Sequence, residues 1–171
     1  MIEREKAQRI KLLILDVDGV LTDGQIILTE QGEEIKSFNA KDGHGIRMLM
    51  AEGIEVAIVS GRKSKAVGIR AEDLGIREIH LGIKDKGLLC REMIRRKNLS
   101  KAEVCCIGDD LPDLPMFEHA GTSFAVADAS PPVRRLASYI TERKGGHGAV
   151  REVCEILLEA RGKWPFGERK N

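Results

Sequence analysis

The 171-residue chain lacks a large net charge of either sign, a long apolar run and any paired-cysteine motif. Each shortage removes a class of protein. With 28 basic residues against 27 acidic ones, it has no global field to draw in nucleic acid or an anionic membrane surface. Any anion it binds must be met locally. No segment reaches the roughly 18 consecutive apolar residues of a membrane-spanning helix. Residues 1–11 mix charges without the apolar core of a signal peptide, so a soluble, cytoplasmic protein is expected. Cys90, Cys105, Cys106 and Cys154 show no CxxC spacing and mostly fall on apolar periodic positions, which reads as reduced core thiols. His44, His80, His119 and His147 are scattered without metal-ligand spacing, which argues against zinc chemistry.

Alternating strand and helix signals are plentiful. The length suits one domain, 1–171, able to bury a core without a disulfide or structural metal. Apolar strand candidates at 11–15, 55–59, 78–81, 104–107, 123–126 and 137–140 alternate with helical segments at 43–52, 64–74, 86–97, 112–119 and 149–160. That alternation implies crossover units, and so an α/β fold with a doubly wound, mainly parallel sheet. In the segment 86–97, Leu88, Leu89 and Met93 read as an apolar stripe opposite a charged face. Residues 24–40 break the pattern with two short β-like runs around Glu30-Gln31-Gly32-Glu33, which reads as a hairpin insertion. Neither this insertion nor 61–86 has room for a cap domain. A small-molecule site would then lie open unless a partner subunit covered it. The tail 162–171 combines Gly, Pro and charge with Trp164 and Phe166, and is either frayed or docked through those aromatics.

Chemistry-bearing residues gather where such a sheet places its crevice, just beyond the carboxyl ends of the strands. Asp16 and Asp18 follow the first strand in Asp16-Val17-Asp18-Gly19, and Ser60 follows the second in Ser60-Gly61-Arg62. Lys86 follows the third, and Asp109 follows the fourth in Gly108-Asp109-Asp110-Leu111-Pro112-Asp113. Each has an ordinary alternative. An Asp-Gly pair is common in turns, Ser-Gly more often marks a bend, and Lys86 could be an exposed lysine at a helix start. An EF-hand is excluded because Val20 and Leu21 stand where that loop wants an oxygen ligand and a glycine. Four signals in order outweigh any one of them.

This ordered set resembles the haloacid dehalogenase superfamily of aspartate-nucleophile phosphotransferases, whose fold is Rossmann-like, over nearly the whole chain. The resemblance implies that Asp16 attacks phosphorus to form an aspartyl-phosphate, and that Asp18 protonates the leaving oxygen and later activates water. It implies a magnesium ion held by Asp16, the backbone carbonyl of Asp18 and Asp109, with Asp110 and Asp113 in an outer shell. Ser60 would donate to a phosphoryl oxygen, and Lys86 would neutralise charge on the nucleophile and the transferring group. These residue types suit the task, since phosphate monoester hydrolysis can require acceleration up to about 10²¹-fold. A carboxylate nucleophile splits such a reaction into two displacements. To act as an acid, Asp18 must be protonated, which neighbouring carboxylates and an anionic substrate would favour.

Longer strings narrow the resemblance: Asp16 through Gly24, Phe38-Asn39-Ala40-Lys41-Asp42-Gly43, Ser60-Gly61-Arg62-Lys63, and Gly145-Gly146-His147-Gly148. They are similar to a capless branch acting on phosphorylated keto-sugar acids in lipopolysaccharide precursor synthesis. The branch implies a magnesium-dependent homotetramer in which the hairpin helps build the subunit interface. It carries substrate contacts to Asp18, Asn39, Ala40, Lys41, Asp42, Gly43, Arg47, Arg62, Arg70 and Lys86. Arginine's planar fork suits a sugar-acid carboxylate. Arg62 favours an eight-carbon substrate over a nine-carbon one, whereas His147 replaces an arginine common in the branch. A non-catalytic oligomerisation module and a phosphoacceptor signalling domain are the competing classes.

Overall fold

A computed structural model describes residues 3–164. The apolar run Leu12–Leu15 forms β1, entirely buried, and its neighbours are β4 (Glu55–Ser60) and β6 (Val104–Gly108), both parallel to it. Beyond them lie β5 (Glu78–Leu81) on one side, and β7 (Thr122–Ala125) and β8 (Tyr139–Ile140) on the other. The resulting six-stranded order is β5-β4-β1-β6-β7-β8, parallel throughout. After β1 the chain winds outward through β4 and β5, then returns to β6 on the opposite side. Such a reversal opens a crevice at the carboxyl ends of β1 and β6.

The main crossover helices are α2 (Ala40–Ala51), α3 (Lys65–Leu74), α4 (Lys86–Arg96) and α5 (Leu114–His119), and α7 (Ala149–Ala160) follows the last strand. Asn39 caps α2 by accepting from the Lys41 amide at 2.8 Å, so the helix begins three residues earlier than the apolar pattern alone suggests. Two short helices had no sequence signal: α1 (Arg4–Arg9), which buries only Ala7, and α6 (Pro131–Leu136), which buries only Val133. In α4 the buried face is Cys90 and Met93 rather than a stripe through Leu88, which is exposed. All four cysteines are free and buried, as expected.

The insertion is a two-stranded hairpin, β2 (Ile27–Leu28) with β3 (Glu34–Ile35), outside the main sheet. Its pairing is shorter than the sequence suggests. No helix among the described residues is long and apolar enough to cross a membrane. Trp164 packs partly buried against the core, with the Arg151 guanidinium 5.1 Å from its ring centroid. Phe166 lies outside the described residues.

Candidate active site

β1 ends at Leu15, and Asp16 follows with its amide bonded to the Ile107 carbonyl of β6 at 3.2 Å. The nucleophile candidate is thereby fixed at the switch point, buried to 6% exposure. Lys86, the first residue of α4, donates to Asp16 Oδ1 at 2.7 Å and to Asp113 Oδ1 at 2.6 Å. Asp85 caps that helix by accepting from Leu88, which aims the Lys86 side chain inward. Gly87 completes the local geometry, because a Cβ there would lie 2.7 Å from Pro115 Cβ and push α4 off α5.

Asp109 follows β6 and brings a second carboxylate to Asp16. Gly19 makes room for it: its φ of +89° favours glycine, and a Cβ would stand 2.1 Å from Asp109 Oδ2. Asp113 lies in the same cluster, with candidate ligand atoms of Asp16, Asp109 and Asp113 all within 4.8 Å of one another. Its oxygens are already engaged, Oδ1 by Lys86 and Oδ2 by the amides of Asp109 and Asp110 at 2.9 and 3.3 Å. Asp113 therefore braces Lys86 and the 109–110 turn. Asp110 is exposed.

Electrostatically the cluster is short of one cation. Burial and the Asp113 charge push Asp16 up to about 6, against the opposing pull of Lys86. Burial, then Asp16, Asp113 and Asp110, push Asp109 up to about 8. Lys86 is raised by the two carboxylates despite its burial. Crowded hard oxygens suit a divalent ion such as magnesium, which would be held by Asp16 and Asp109 with the Asp18 carbonyl beside them. Both aspartates bind protons more tightly folded than unfolded, so metal-free stability should fall as pH rises from about 4 toward 8. Metal must displace those protons. The rise in melting temperature on adding magnesium should consequently be larger at pH 8 than at pH 5, as thermal melts at the two pH values would show. An equal or smaller rise at pH 8 would contradict this assignment.

Ser60, at the end of β4, is buried, and its Oγ accepts from the Arg62 amide at 3.2 Å. Its O–H remains available to a phosphoryl oxygen. Asp18 is flanked by cations rather than the expected carboxylates: Lys36 donates to its Oδ1, and Arg62 Nε stands 3.8 Å from its Oδ2. Lys36 had no motif to flag it. Only the two-residue alternation of the hairpin placed it on the side of Glu34, facing inward.

The remaining candidates separate. Asn39 donates to the Gly146 carbonyl at 3.2 Å, while Ala40 and Lys41 are exposed at the start of α2. Asp42 is anchored within the fold: it is 1% exposed and its Oδ1 accepts from the Arg151 amide at 2.7 Å in the first turn of α7. Gly43 lets Arg70 approach, since a Cβ there would be 2.2 Å from Arg70 Nη2. Arg70 also pairs with Asp73 at 2.7 Å. Arg47 sits two turns down α2 and binds the Asp73 carbonyl and carboxylate, so within one chain it does not face the crevice. The segment 145–148 buttresses the first loop through backbone. Gly146 N bonds Val20 O at 2.9 Å, and Gly145 packs on Gly19 so closely that a Cβ would lie 1.6 Å from its carbonyl oxygen. That role needs no arginine at position 147.

Residues 76–153 match the family model for haloacid dehalogenase-like hydrolases. The chain is 48% identical over 158 residues to the 3-deoxy-D-manno-octulosonate 8-phosphate phosphatase of Escherichia coli K12, covering 92% of this chain and 84% of that protein. The crystal structure of the Yersinia pestis phosphatase of the same name superposes with a TM-score of 0.92 at 45% identity, covering 95% of this chain and 88% of that one. The Moraxella catarrhalis phosphatase, solved with a magnesium ion, a phosphate ion and a KDO molecule, has a TM-score of 0.92 at 42% identity, covering 94% and 92%.

Proposed function

The chain belongs to the haloacid dehalogenase-like hydrolases and is a phosphatase of that family; on that premise we propose that it hydrolyses 3-deoxy-D-manno-octulosonate 8-phosphate, in lipopolysaccharide precursor synthesis. The observation that carries the reading is the buried Lys86 joining Asp16 to Asp113, with Asp109 brought alongside at the sheet's switch point. A nucleophile, a fixed positive charge and a metal-binding carboxylate then share one crevice.

Magnesium, when bound, offsets the repulsion between the attacking carboxylate and an anionic phosphate. Asp16 attacks phosphorus and carries the phosphoryl group as an aspartyl-phosphate. Lys86 neutralises charge as that bond forms, and the Ser60 hydroxyl donates to a phosphoryl oxygen. Asp18 gives a proton to the leaving sugar oxygen, then takes one from the water that releases phosphate.

Arg62, 46% exposed in its side chain and reaching both Asp18 and Glu34, is the group best set to receive the substrate's carboxylate. Asn39 through Gly43 and Arg70 form the adjoining wall, where a narrow cavity is lined by Leu21, Phe38, Asn39, Asp42, Gly43 and Arg70. Arg47 can serve only the crevice of a neighbouring copy. A homotetramer is part of this reading, supported by the exposed apolar side chains Ile26, Ile27, Leu28 and Ile35 on the hairpin of a single-domain, cap-free chain.

Phosphate release from a panel of phosphosugars, with and without magnesium, tests the assignment. Turnover should require magnesium and favour the eight-carbon keto-acid ester over a nine-carbon 9-phosphate and over neutral sugar phosphates. Arg62→Ala should erase much of that preference, on the order of 10–100-fold in kcat/KM for removal of a charged hydrogen bond worth about 1.5–3 kcal/mol. Failure on every ester would reject the enzyme reading. Preference for another ester would reject only the substrate.

A further inference from the structure

The hairpin brings one charged group into the crevice that none of the roles above employs. Lys36 follows β3, between the exposed residues Ile35 and Ser37, yet its own side chain is only 1% exposed. A lysine on a surface hairpin can ordinarily extend into water, and burying its ammonium is costly unless it is paired. Here it donates to Asp18 Oδ1 and stands 3.2 Å from Glu34 Oε1. Glu34 in turn accepts from Arg62 Nη2 at 2.9 Å, and Arg62 Nε returns to the other Asp18 oxygen at 3.8 Å. The four side chains close a ring, in which Lys36 hydrogen-bonds one oxygen of Asp18 while Arg62 stands beyond hydrogen-bond reach of the other.

We propose that Lys36 is a positioning residue for the acid/base step: it holds Asp18 Oδ1, so that Oδ2 is the oxygen presented to the leaving group. The proposal rests on the reading of Asp18 as acid/base. In the first half-reaction the Oδ2 proton passes to the sugar oxygen as its bond to phosphorus breaks and the Asp16–phosphorus bond forms. In the second, Oδ2 takes a proton from water as the water oxygen bonds phosphorus and the Asp16–phosphorus bond breaks. Lys36 keeps its protons throughout. Without it, Asp18 is free to rotate about its side-chain torsions, which leaves the acid unoriented while Arg62 and the other substrate contacts stay in place.

Lys36→Met separates this from a structural or binding role. Turnover of 3-deoxy-D-manno-octulosonate 8-phosphate should fall about 10²-fold in kcat, at the lower end of what a positioned acid/base supplies, with KM within about twofold. With p-nitrophenyl phosphate the leaving group needs no acid. The variant should then release a full stoichiometric burst of nitrophenol, followed by slow turnover as unassisted water attacks the phosphorylated Asp16. A raised KM with unchanged kcat, a lost burst, or parental kinetics on both esters would each overturn the proposal. Should Lys36→Met fail to fold, Lys36→Gln is read instead; it keeps an uncharged amide donor and must show the same burst with a smaller kcat loss. Asp18→Asn runs in parallel. If that variant turns over normally, the acid/base reading itself fails, independently of what Lys36 does.

Discussion

Asp16→Asn should lower phosphate release by about 10⁴–10⁶-fold, the range reported when a member of a cooperating catalytic unit is removed. The amide has no charge with which to attack phosphorus and is a poorer metal ligand. Thermal stability should move the other way. Burial and Asp113 hold Asp16 up at about 6 in the metal-free fold, so at pH 8 its ionised form is disfavoured relative to the unfolded chain. An uncharged side chain at the end of β1 removes that strain, and the metal-free variant should melt no lower than the parent at pH 8. It should also lose most of the magnesium-dependent rise in melting temperature. Phosphate assays and paired melts read all three effects. A variant that kept turnover would disqualify Asp16 as the nucleophile.

Gly145→Ala should damage both the fold and turnover although the residue touches no reacting atom. The added Cβ would lie 1.6 Å from the Gly19 carbonyl oxygen and 2.5 Å from its carbonyl carbon. Both neighbours are backbone, and no side chain can swing aside. Overpacking of this kind costs about 1–3 kcal/mol, sometimes more, which for a chain of this length lowers the melting temperature by roughly 2–12 °C. Gly19 also lies against Asp109 and directly follows Asp18, so relief of the clash shifts the floor of the crevice, and kcat should fall with the melting temperature. Gly68→Ala is the natural contrast. Gly68 lies within α3, a Cβ there meets nothing within 4 Å, and alanine should stabilise by about 0.5–1 kcal/mol with turnover unchanged. Similar effects at the two glycines would mean that the 145–148 segment does not brace the site.

Legibility of this fold followed the strength of local signals. β1, β4 and β6 are built on continuous apolar runs closed by polar residues, β5 alternates polar and apolar residues, and the order of these segments along the chain carried the parallel topology. Asp16, Ser60, Lys86 and Asp109 were recognisable because strand ends converge in space, a geometric rule that needs no side-chain detail. Short elements were not legible. α1 is a charged surface helix that buries a single alanine, and α6 opens with two prolines over one buried valine, so neither displays a helical period. The side-chain partners of Asp42 and Arg47 were hidden for a different reason. A polar residue near a motif can face either way, and here tertiary partners decide: the first turn of α7 draws Asp42 inward, and Asp73 holds Arg47 down α2. Lys36 and the Gly145–Gly19 contact were hidden because each joins segments far apart in sequence.

Surface turns usually tolerate insertions and deletions. The turn at 29–33 should be an exception. β3 pairs in the register Ile27–Ile35 and Leu28–Glu34, so Ile35 faces out while Glu34 and Lys36 face in toward Asp18. Adding or removing one residue before Glu34 would reverse that alternation, turning a leucine-sized apolar group toward the carboxylates and the lysine toward water. A one-residue insertion there should therefore lower turnover more than a two-residue insertion, which keeps the alternation, as kinetics of the two loop variants would show. The spacing between two exposed β-strands thereby decides which side chains reach Asp18.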